Sequence, residues 1–300
     1  MNRNTQWDTL LNTLKQNLHI LPDKPEETPE ATLNALWLLA AGQPVSVQKA
    51  TNMSLPQLTT EQTTRLENLI KQRIDGVPLA HLTGRQQFMG VELLAGPQAL
   101  VPRKETELLG FGALELLNEL ARERDLPLTV LDICTGAGNL AVAISVLFPD
   151  LRMFAADLSQ EAVALARKNV AFHHLQDKVQ VEAGDLLQPF DTGRFHHNVD
   201  LLLCNPPYIS SAKVKTMPDE ISRFEPNLAF DGGPFGIKIL GRLIKEAPLF
   251  LNSGGWLGFE VGLGQGEPMR KRLQKNAHFD EIRVKMDAQG NIRALFARRI

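Results

Sequence analysis

Hydrophobic residues in the first part of the chain recur at helical spacing. A first apolar stripe is formed by Trp7, Leu10, Leu11, Leu14 and Leu18. A second stripe covers 31–41, and a third helix is predicted to begin at 59–61 and to end at Gly76 and Pro78. The pattern predicts a helical bundle over residues 1–84, which either supports the following domain or grips a partner.

A different pattern follows the bundle. Apolar residues over 86–101 are broken by Gly90 and by Gly96–Pro97, which predicts a hairpin that bridges two domains. The segment 105–124 then has the apolar stripe of one long amphipathic helix. We therefore assign 85–103 to a hairpin linker and 104–300 to a second domain.

From Leu128 onward, strand-like and helix-like segments alternate. The predicted strands are 128–133, 151–156, 178–182, 199–204, 255–261, 280–285 and 292–297, and the predicted helices are 138–147, 159–172, 236–250 and 266–276. Alternation of this kind indicates a mostly parallel α/β sheet with helices on both faces. Because only 287–290 separates the last two strands, they should be antiparallel. Seven strands with a reversed final one is the Rossmann-like layout of S-adenosylmethionine-dependent methyltransferases.

Composition and charge exclude several classes of protein. The chain has 300 residues, of which 43% are hydrophobic and 22% charged, as is ordinary for a soluble protein of about two domains. A net charge of −2 argues against a protein that wraps duplex nucleic acid, so we expect no direct nucleic-acid binding. No apolar run reaches the ~20 residues of a membrane span. Two cysteines are too few for a disulfide framework, which favours the cytoplasm.

The segment 129–139 (TVLDICTGAGN) is an apolar strand that enters a glycine-bearing turn and then a helix. Gly136 and Gly138 would let a ligand approach the backbone, and the helix N-terminus offers free N–H groups. The dinucleotide fingerprint requires a third glycine, but residue 141 is Ala141. By itself the motif is a weak signal, and a tight turn that binds no ligand is the alternative.

Acidic residues at the ends of the next two strands strengthen the ligand interpretation. Asp157 lies ~20 residues after the glycine turn, where an acid meets a ribose diol in nucleotide-binding folds. The alternative is that Asp157 merely precedes Ser159, the N-cap of a helix. Asp185 is placed to accept from an adenine amino group, with Leu186 beside it. Three polar strand ends together predict an adenosine derivative.

The fourth strand delivers Asn205, Pro206, Pro207 and Tyr208 to the same edge of the sheet. Two successive prolines fix the backbone and remove two N–H donors, so that carbonyl groups face outward. Asn205 offers an amide oxygen, and Tyr208, the only tyrosine of the chain, offers a flat ring with a hydroxyl. Such a site suits a planar nitrogen group, whereas a proline-rich turn is the structural alternative.

With these residues in view, the chain resembles the N5-glutamine methyltransferases that modify peptide chain release factors, whose sister branch acts on a ribosomal protein. The resemblance is carried by 73–84 (RIDGVPLAHLTG), 88–90 (FMG), 101–107 (VPRKETE), 205–208 (NPPY), 224–233 (FEPNLAFDGG), 264–266 (GQG) and 287–293 (DAQGNIR). Lys104 stands where the family usually has proline. Cys134 replaces the first glycine of the motif, as in the ribosomal-protein branch, whereas the C-terminal segments resemble the release-factor branch.

The resemblance implies S-adenosylmethionine as methyl donor and a glutamine in an exposed loop of a translation protein as acceptor. It implies donor contacts from Asp132, Cys134, Thr135, Gly136, Ala137, Gly138, Asp157, Asp185, Leu186 and Asn205. It also implies catalytic roles for Asn205, Pro206, Pro207 and Tyr208. The Asn205 oxygen and the Pro206 carbonyl would accept the two amide N–H groups, while Tyr208 stacks beneath the amide. Substrate-protein recognition falls to the helical bundle.

Three further features carry predictions. Arg223 and Glu225 lie in a loop that forms either a lid or rim over the site or a solvated turn. The pairs His173–His174 and His196–His197 have no further ligand at metal spacing, so no metal site is predicted. Cys134 and Cys204 end neighbouring strands, and we expect their thiols to be close and open to joint oxidation.

Two other functions remain open from the sequence. A methyltransferase that acts on amino groups of nucleic acid faces the same geometric problem as one that acts on amides. A protein that binds the donor without catalysis is the second alternative, which the intact NPPY segment disfavours.

Overall fold

The computed structural model describes residues 3–214, 223–233 and 236–300. Its first helices are α1 (Arg3–Asn17), α2 (Pro29–Ala40), α3 (Val47–Ala50), α4 (Thr60–Ile74) and α5 (Leu79–Thr83). They surround a separate core centred on the buried Trp37. Helix α4 begins with a capping box between Thr59 and Gln62, in which each side chain accepts from the other residue's backbone N–H. The predicted helical bundle is thus present.

A two-stranded hairpin connects the bundle to the rest of the chain. Its strands are β1 (Arg85–Phe88) and β2 (Val91–Leu94), paired antiparallel. On the bundle side, Glu92 accepts from the backbone N–H and hydroxyl of Ser46 at 2.8 and 2.9 Å. On the other side, Asn169 Oδ1 accepts from the Leu94 N–H at 2.6 Å. The hairpin therefore bridges two cores, although the domain limits at 84 and 103 stay predictions.

The hairpin and the helix after it are both shorter than predicted. The hairpin ends at Leu94 rather than near 101, because Pro97 cannot donate to a strand ladder. The predicted helix over 105–124 is a short 3₁₀ turn, Lys104–Thr106, followed by α6 (Glu107–Leu120). Beyond Leu120 the helix ends in turns, in which the Arg122 and Glu123 N–H groups bond carbonyls three residues back. The Arg124 side chain there binds the Asp200 carboxylate and the Ser253 carbonyl.

The second domain contains a seven-stranded mixed sheet in the order β5-β4-β3-β6-β7-β9-β8. Its strands are β3 (Leu128–Ile133), β4 (Leu151–Asp157), β5 (Val179–Ala183), β6 (Val199–Cys204), β7 (Leu251–Glu260), β8 (Phe279–Met286) and β9 (Ile292–Arg299). The further helices are α7 (Asn139–Leu147), α8 (Gln160–Phe172), α9 (Ser211–Val214), α10 (Lys238–Phe250) and α11 (Gly266–Gln274). Strand β9 is antiparallel to both β7 and β8, which confirms the predicted reversal and fold class.

The sheet order places the site. Helices α6, α7 and α8 pack on one face of the sheet, and α10 and α11 pack on the other. Strand β3 has β4 on one side and β6 on the other, so the order of the strands reverses there. In open α/β sheets, ligands bind beyond the carboxyl ends of the strands at this switch point. Within the described residues, no helix is both long and apolar enough to cross a membrane.

Candidate active site

Two adjoining cavities open at the carboxyl edge of the sheet, beside the switch point. The first cavity lies over the ends of β3, β4 and β5, and the second lies between the ends of β6 and β7. Both are bordered by Leu100, Arg103, Thr106, Asn205 and Ala229. Asn205 therefore stands at the boundary between the two cavities, where a group bound in one can reach a group bound in the other.

The turn after β3 forms the floor of the first cavity. Cys134, Gly136 and Gly138 all have positive φ, at 59°, 56° and 79°. A Cβ built on Gly136 would meet nothing within 4 Å, so this glycine leaves open space at the cavity. A Cβ on Gly138 would lie 3.1 Å from the Ala166 side chain, because α8 packs closely there. Gly136 thus leaves open space at the cavity, and Gly138 allows the close packing of α8.

Asp132 stabilises this turn by hydrogen bonds, without itself bordering the cavity. Its Oδ2 accepts from the Thr135 hydroxyl at 2.6 Å and from the Ala141 N–H at 3.1 Å. Complete burial raises the pKa of Asp132 to about 7, although both hydrogen bonds oppose the shift. Unlike Cys134, Thr135 and Gly136, three of the predicted donor contacts do not border the cavity; these are Asp132, Ala137 and Gly138. Their direct contact with a donor stays a prediction.

Asp157 borders the first cavity at the end of β4. Its Oδ2 accepts from the Gly136 N–H at 2.8 Å, and its Oδ1 accepts from the Ser159 N–H at 2.9 Å. Burial raises the pKa of this carboxyl group, and the backbone hydrogen bonds lower it in opposition. The helix cap itself is made by the Ser159 hydroxyl, which accepts from the Ala162 N–H at 3.2 Å. Asp157 therefore holds the glycine turn and faces the cavity at once.

Asp185 and Leu186 also border the first cavity. However, both carboxylate oxygens of Asp185 accept from the Arg242 guanidinium, at 3.0 and 2.9 Å. Sequence reasoning missed this pair because Arg242 lies in α10, far along the chain. The carboxylate is shared with Arg242, so its predicted contact with an adenine amino group must compete with an ion pair. Leu186 is buried and has a φ of 50°.

The segment 205–208 borders both cavities. Pro207 faces the first cavity, whereas Pro206 and Tyr208 face the second. The Asn205 Nδ2 group donates to the Thr106 hydroxyl oxygen at 3.1 Å. This bond fixes the amide so that its oxygen, Oδ1, points away from Thr106 and is the atom left to accept from a ligand.

Contacts with Glu260, Gln265 and Gly262 fix the position of Tyr208. Its hydroxyl donates to Glu260 Oε1 at 2.9 Å, and its carbonyl accepts from Gln265 Nε2 at 2.9 Å. A Cβ on Gly262 would come within 2.9 Å of the Tyr208 ring. Burial and the Glu260 carboxylate raise the pKa of the Tyr208 phenol well above its ordinary value, so the hydroxyl keeps its hydrogen.

Several site residues were missed by sequence reasoning. Glu260 and Arg293 border the second cavity from β7 and β9, and Thr106 borders both cavities from the 3₁₀ turn before α6. Glu260 could have been identified from the sequence, because it is an acidic residue at the end of a strand, as Asp157 is. Thr106 carried no such signal, since its partner Asn205 lies 99 residues away in the sequence.

The loop that contains Arg223 and Glu225 is not simply solvated. Glu225 is buried, and its carboxylate accepts from the Val101 N–H at 3.0 Å and from the Arg103 guanidinium. Arg103 also pairs with Asp23 of the bundle at 3.4 Å. Glu225 thereby ties the loop to the linker at the rim of both cavities, whereas Arg223 is exposed. The solvated alternative is wrong for Glu225.

The two cysteine thiols are neighbours, as predicted. Cys204 ends β6 opposite Ile133, the residue before Cys134, so the two cysteines lie at the ends of adjacent strands. Cys204 is fully buried, and burial together with Cys134 raises the pKa of its thiol well above the ordinary value. Cys134 is partly exposed and borders the first cavity.

The histidine pairs contact protein groups. His173 Nε2 lies 2.7 Å from the Glu92 carbonyl oxygen, and His196 Nε2 lies 2.8 Å from Asp191 Oδ1. Among the described ranges, no three histidine, cysteine or acidic side chains are grouped so that they would hold a metal ion.

Comparison with known proteins identifies the family of the chain. Residues 107–223 match the family model described as methyltransferase small domain. The release factor glutamine methyltransferase of Koribacter versatilis (strain Ellin345) is 31% identical over 91% of this chain and 93% of its own. Those of Geobacter sulfurreducens and Rhodopirellula baltica are 33% and 31% identical, and cover 83% and 97% of this chain and 84% and 96% of their own.

Solved structures show the same fold at low sequence identity. The N-terminal domain of human METTL16 in complex with SAH has a TM-score of 0.52 and 15% identity, covering 93% of this chain and 98% of its own. A human methyltransferase 10 domain containing protein has a TM-score of 0.52 and 17% identity, covering 70% of this chain and 88% of its own. At sequence identities this low, the structural similarity shows only that the fold is shared.

Proposed function

Because the chain belongs to the family of release factor glutamine methyltransferases, we propose that it transfers a methyl group from S-adenosylmethionine to the side-chain amide nitrogen of a glutamine in a peptide chain release factor. One observation carries the chemistry. Asn205, whose NH₂ group donates to Thr106, stands where the two cavities meet. A donor in the first cavity and an amide in the second would be brought together there.

The first cavity fits the donor. Open space at Gly136 suits the approach of a methionine moiety to the backbone, and the Asp157 carboxylate suits a ribose diol. Leu140, Leu158, Leu186 and Ile239 give apolar walls that suit an adenine ring. When bound, S-adenosylmethionine supplies a methyl group on a positively charged sulfur. We also assign Cys134, Thr135, Asp185 and the remaining predicted donor contacts to the binding of S-adenosylmethionine.

In the second cavity, the protein has to make an amide nitrogen react. This nitrogen is a poor nucleophile, because its lone pair is delocalised into the carbonyl. Asn205 Oδ1 and the Pro206 carbonyl would accept its two N–H groups, which orients the nitrogen and favours loss of planarity during attack. Pro207 stiffens the turn. The Tyr208 ring lies beside this position and would stabilise positive charge by ~0.5–2 kcal/mol.

The protein substrate must present its glutamine on an exposed loop, since the side chain has to reach Asn205 at the base of the second cavity. The helical bundle contributes Asp23 to the border of that cavity, which supports a role for 1–84 in substrate-protein recognition. The relatives named after release factors favour that substrate over a ribosomal protein. The absence of nucleic-acid contact and the cytoplasmic location stay predictions.

The proposed substrate is tested by offering purified release factor, ribosomal proteins, tRNA and DNA separately with methyl-labelled donor. We expect label in the release factor alone. Label in ribosomal protein would identify the sister activity, and label in tRNA or DNA would identify an amino-group methyltransferase. A complete lack of transfer to all four substrates, with normal donor binding, would support the non-catalytic alternative.

Asp157→Asn is expected to weaken donor binding at least ~10-fold, because a charge-assisted hydrogen bond to the ribose is replaced by a neutral one. Calorimetric titration with S-adenosylhomocysteine measures this change. Asp150→Asn, an exposed position outside the cavity, is the matched control and should bind normally. Equal affinities for Asp157→Asn and the native chain would remove Asp157 from the donor site.

Hydrogen peroxide is expected to join Cys134 and Cys204 and to lower donor affinity. Two thiols are oxidised to one disulfide while the peroxide is reduced to two molecules of water. The partly exposed Cys134 should react first, because burial keeps Cys204 protonated. Peptide mapping would detect the link and titration the affinity, with Cys134→Ser as control. Full donor binding without a linked peptide would refute the prediction.

A further inference from the structure

Arg103 carries a buried hydrogen-bond donor that is not used within the described part of the chain. Its Nη2 group donates to the Glu225 carboxylate, and its Nε lies 3.4 Å from Asp23 Oδ2. Its Nη1, in contrast, is buried and has no hydrogen-bond partner among the described residues. A buried N–H group without a partner is costly, so it points to a ligand that completes it. The proposed function gives Arg103 no role.

Arg103 stands at the same junction as Asn205. Of the described residues, five border both cavities, and Arg103 alone among these five is charged. The Asn205 Nδ2 group donates to Thr106, which leaves the Asn205 oxygen to accept at the junction. A guanidinium has no acceptor, so Arg103 Nη1 can only donate. One acceptor and one donor at the junction are the complement of a carboxamide, which has an NH₂ group and a carbonyl oxygen.

The charges around Arg103 favour a neutral acceptor over an anion. Its guanidinium is already paired with two carboxylates, those of Asp23 and Glu225. The described charged residues that border the second cavity are three acids and two bases, namely Asp23, Glu105, Glu260, Arg103 and Arg293. A further carboxylate, such as that of the methionine part of the donor, would add negative charge where acids are in excess. A carbonyl oxygen adds no such charge.

Resting on the proposed function, we propose that Arg103 is a specificity-determining residue that donates from Nη1 to the side-chain carbonyl oxygen of the acceptor glutamine. Asn205 Oδ1 and the Pro206 carbonyl take the two N–H groups of the amide, and Arg103 takes its oxygen. Asp23 and Glu225 hold the guanidinium in place from two other directions. The site thereby recognises both ends of the carboxamide.

This contact should act on substrate binding rather than on the chemical step. In the intact amide, delocalisation of the nitrogen lone pair places negative charge on the oxygen, and a guanidinium binds that charge. When the nitrogen turns its lone pair toward the methyl group, the oxygen loses part of this charge. The bond to Arg103 is therefore no stronger in the transition state than in the bound substrate. Its loss should raise KM and leave kcat nearly unchanged.

Arg103→Lys is the first test. Lysine keeps the positive charge, and its single nitrogen can stay with the buried Glu225 carboxylate, but it has no second nitrogen for the amide oxygen. Binding is measured, with S-adenosylhomocysteine present, for the native release factor and for one whose target glutamine is replaced by methionine, a residue of similar shape without a carbonyl. Compared with the native enzyme, Arg103→Lys should bind the native release factor at least ~10-fold more weakly and the methionine form within about twofold.

The methionine form separates this contact from damage to the rim of the cavities. If Arg103 only connected the loop, the linker and the bundle, Arg103→Lys would lose affinity for both release factors alike, and that result would overturn the proposal. An unchanged affinity for the native release factor would overturn it as well. Arg152→Lys, at an exposed position in β4, is the matched control and should keep the native affinity.

Kinetics and donor binding give an independent readout. Arg103→Lys should raise KM for release factor at least ~10-fold and keep kcat within about threefold, whereas Asn205→Ala acts on kcat. S-adenosylhomocysteine should bind Arg103→Lys within about twofold of the native enzyme. A loss of donor affinity with an unchanged KM for release factor would show that Nη1 binds the donor instead, which contradicts the proposal.

A structure of the native enzyme with release factor and S-adenosylhomocysteine tests the contact even if Arg103→Lys does not fold. The glutamine Oε1 should lie within about 3.2 Å of Arg103 Nη1. An Nη1 group that bonds the donor or solvent would contradict the proposal. If the native enzyme methylates release factor without this contact, only the role of Arg103 is wrong. If it neither binds nor methylates release factor, the proposed function itself is wrong, and the role of Arg103 with it.

Discussion

Replacing Asn205 by alanine is expected to lower kcat for methyl transfer at least ~1000-fold, because one oriented acceptor is lost from the reacting nitrogen and a second is left alone. The affinity for S-adenosylhomocysteine should stay within about threefold, since the walls of the first cavity are provided by other residues. Single-turnover assays with labelled donor and release factor give the rate, and titration gives the affinity.

The matched control for this variant is Asn198→Ala, at an exposed asparagine just before β6 whose side chain bonds the Arg194 carbonyl. It should retain native turnover. If Asn205→Ala transfers methyl groups at the native rate, the assignment of Asn205 as the acceptor-orienting residue is wrong, whichever protein is the substrate.

Tyr208 should separate the contribution of its ring from that of its hydroxyl. Tyr208→Ala removes the aromatic surface beside the amide and opens a space next to Gly262, so we expect kcat to fall ~100-fold or more. Tyr208→Phe keeps the ring and loses only the bond to Glu260, so we expect a fall of about tenfold. Steady-state kinetics at saturating donor measure both.

Gly262→Ala provides an independent check on the ring position. Its new Cβ would lie 2.9 Å from the Tyr208 ring and would displace it without altering its chemistry. A rate between those of Tyr208→Phe and Tyr208→Ala is expected. If Tyr208→Ala and Tyr208→Phe lose the same activity, the hydroxyl and not the ring would be the part that matters.

The strands beside the site were predictable because each is a buried strand with a nearly continuous apolar run. The limits of β3 and β6 match the sequence pattern residue for residue, as expected for strands covered on both faces. Strand β7 begins at Leu251, four residues before the predicted start at 255. The prediction was late because Gly254 and Gly255 interrupt the apolar pattern of the strand. Strand order followed from the resemblance to the methyltransferase fold, which places the strands before Cys134 and Cys204 side by side, and this is why the two cysteines were expected to be neighbours.

Contacts between residues far apart in the sequence could not be predicted when they depend on how a helix is rotated or where a turn is positioned. The Asp185–Arg242 pair depends on the rotation of α10, and the contact from Asn205 to Thr106 depends on the position of the short 3₁₀ turn before α6. Glu225 was assigned to a loop correctly, but its burial depends on Arg103 and Val101, which lie more than a hundred residues earlier. Local pattern identifies strands and their polar ends, whereas the partners of those ends follow only from tertiary packing.

Methyl transfer to a glutamine amide can be measured by tandem mass spectrometry of a release factor after reaction with S-adenosylmethionine. We expect the mass of one added methyl group, located on the side-chain nitrogen of a single glutamine, and no addition with Asn205→Ala. A methyl group on another residue type, or an unmodified release factor beside methylated ribosomal protein or nucleic acid, would contradict it.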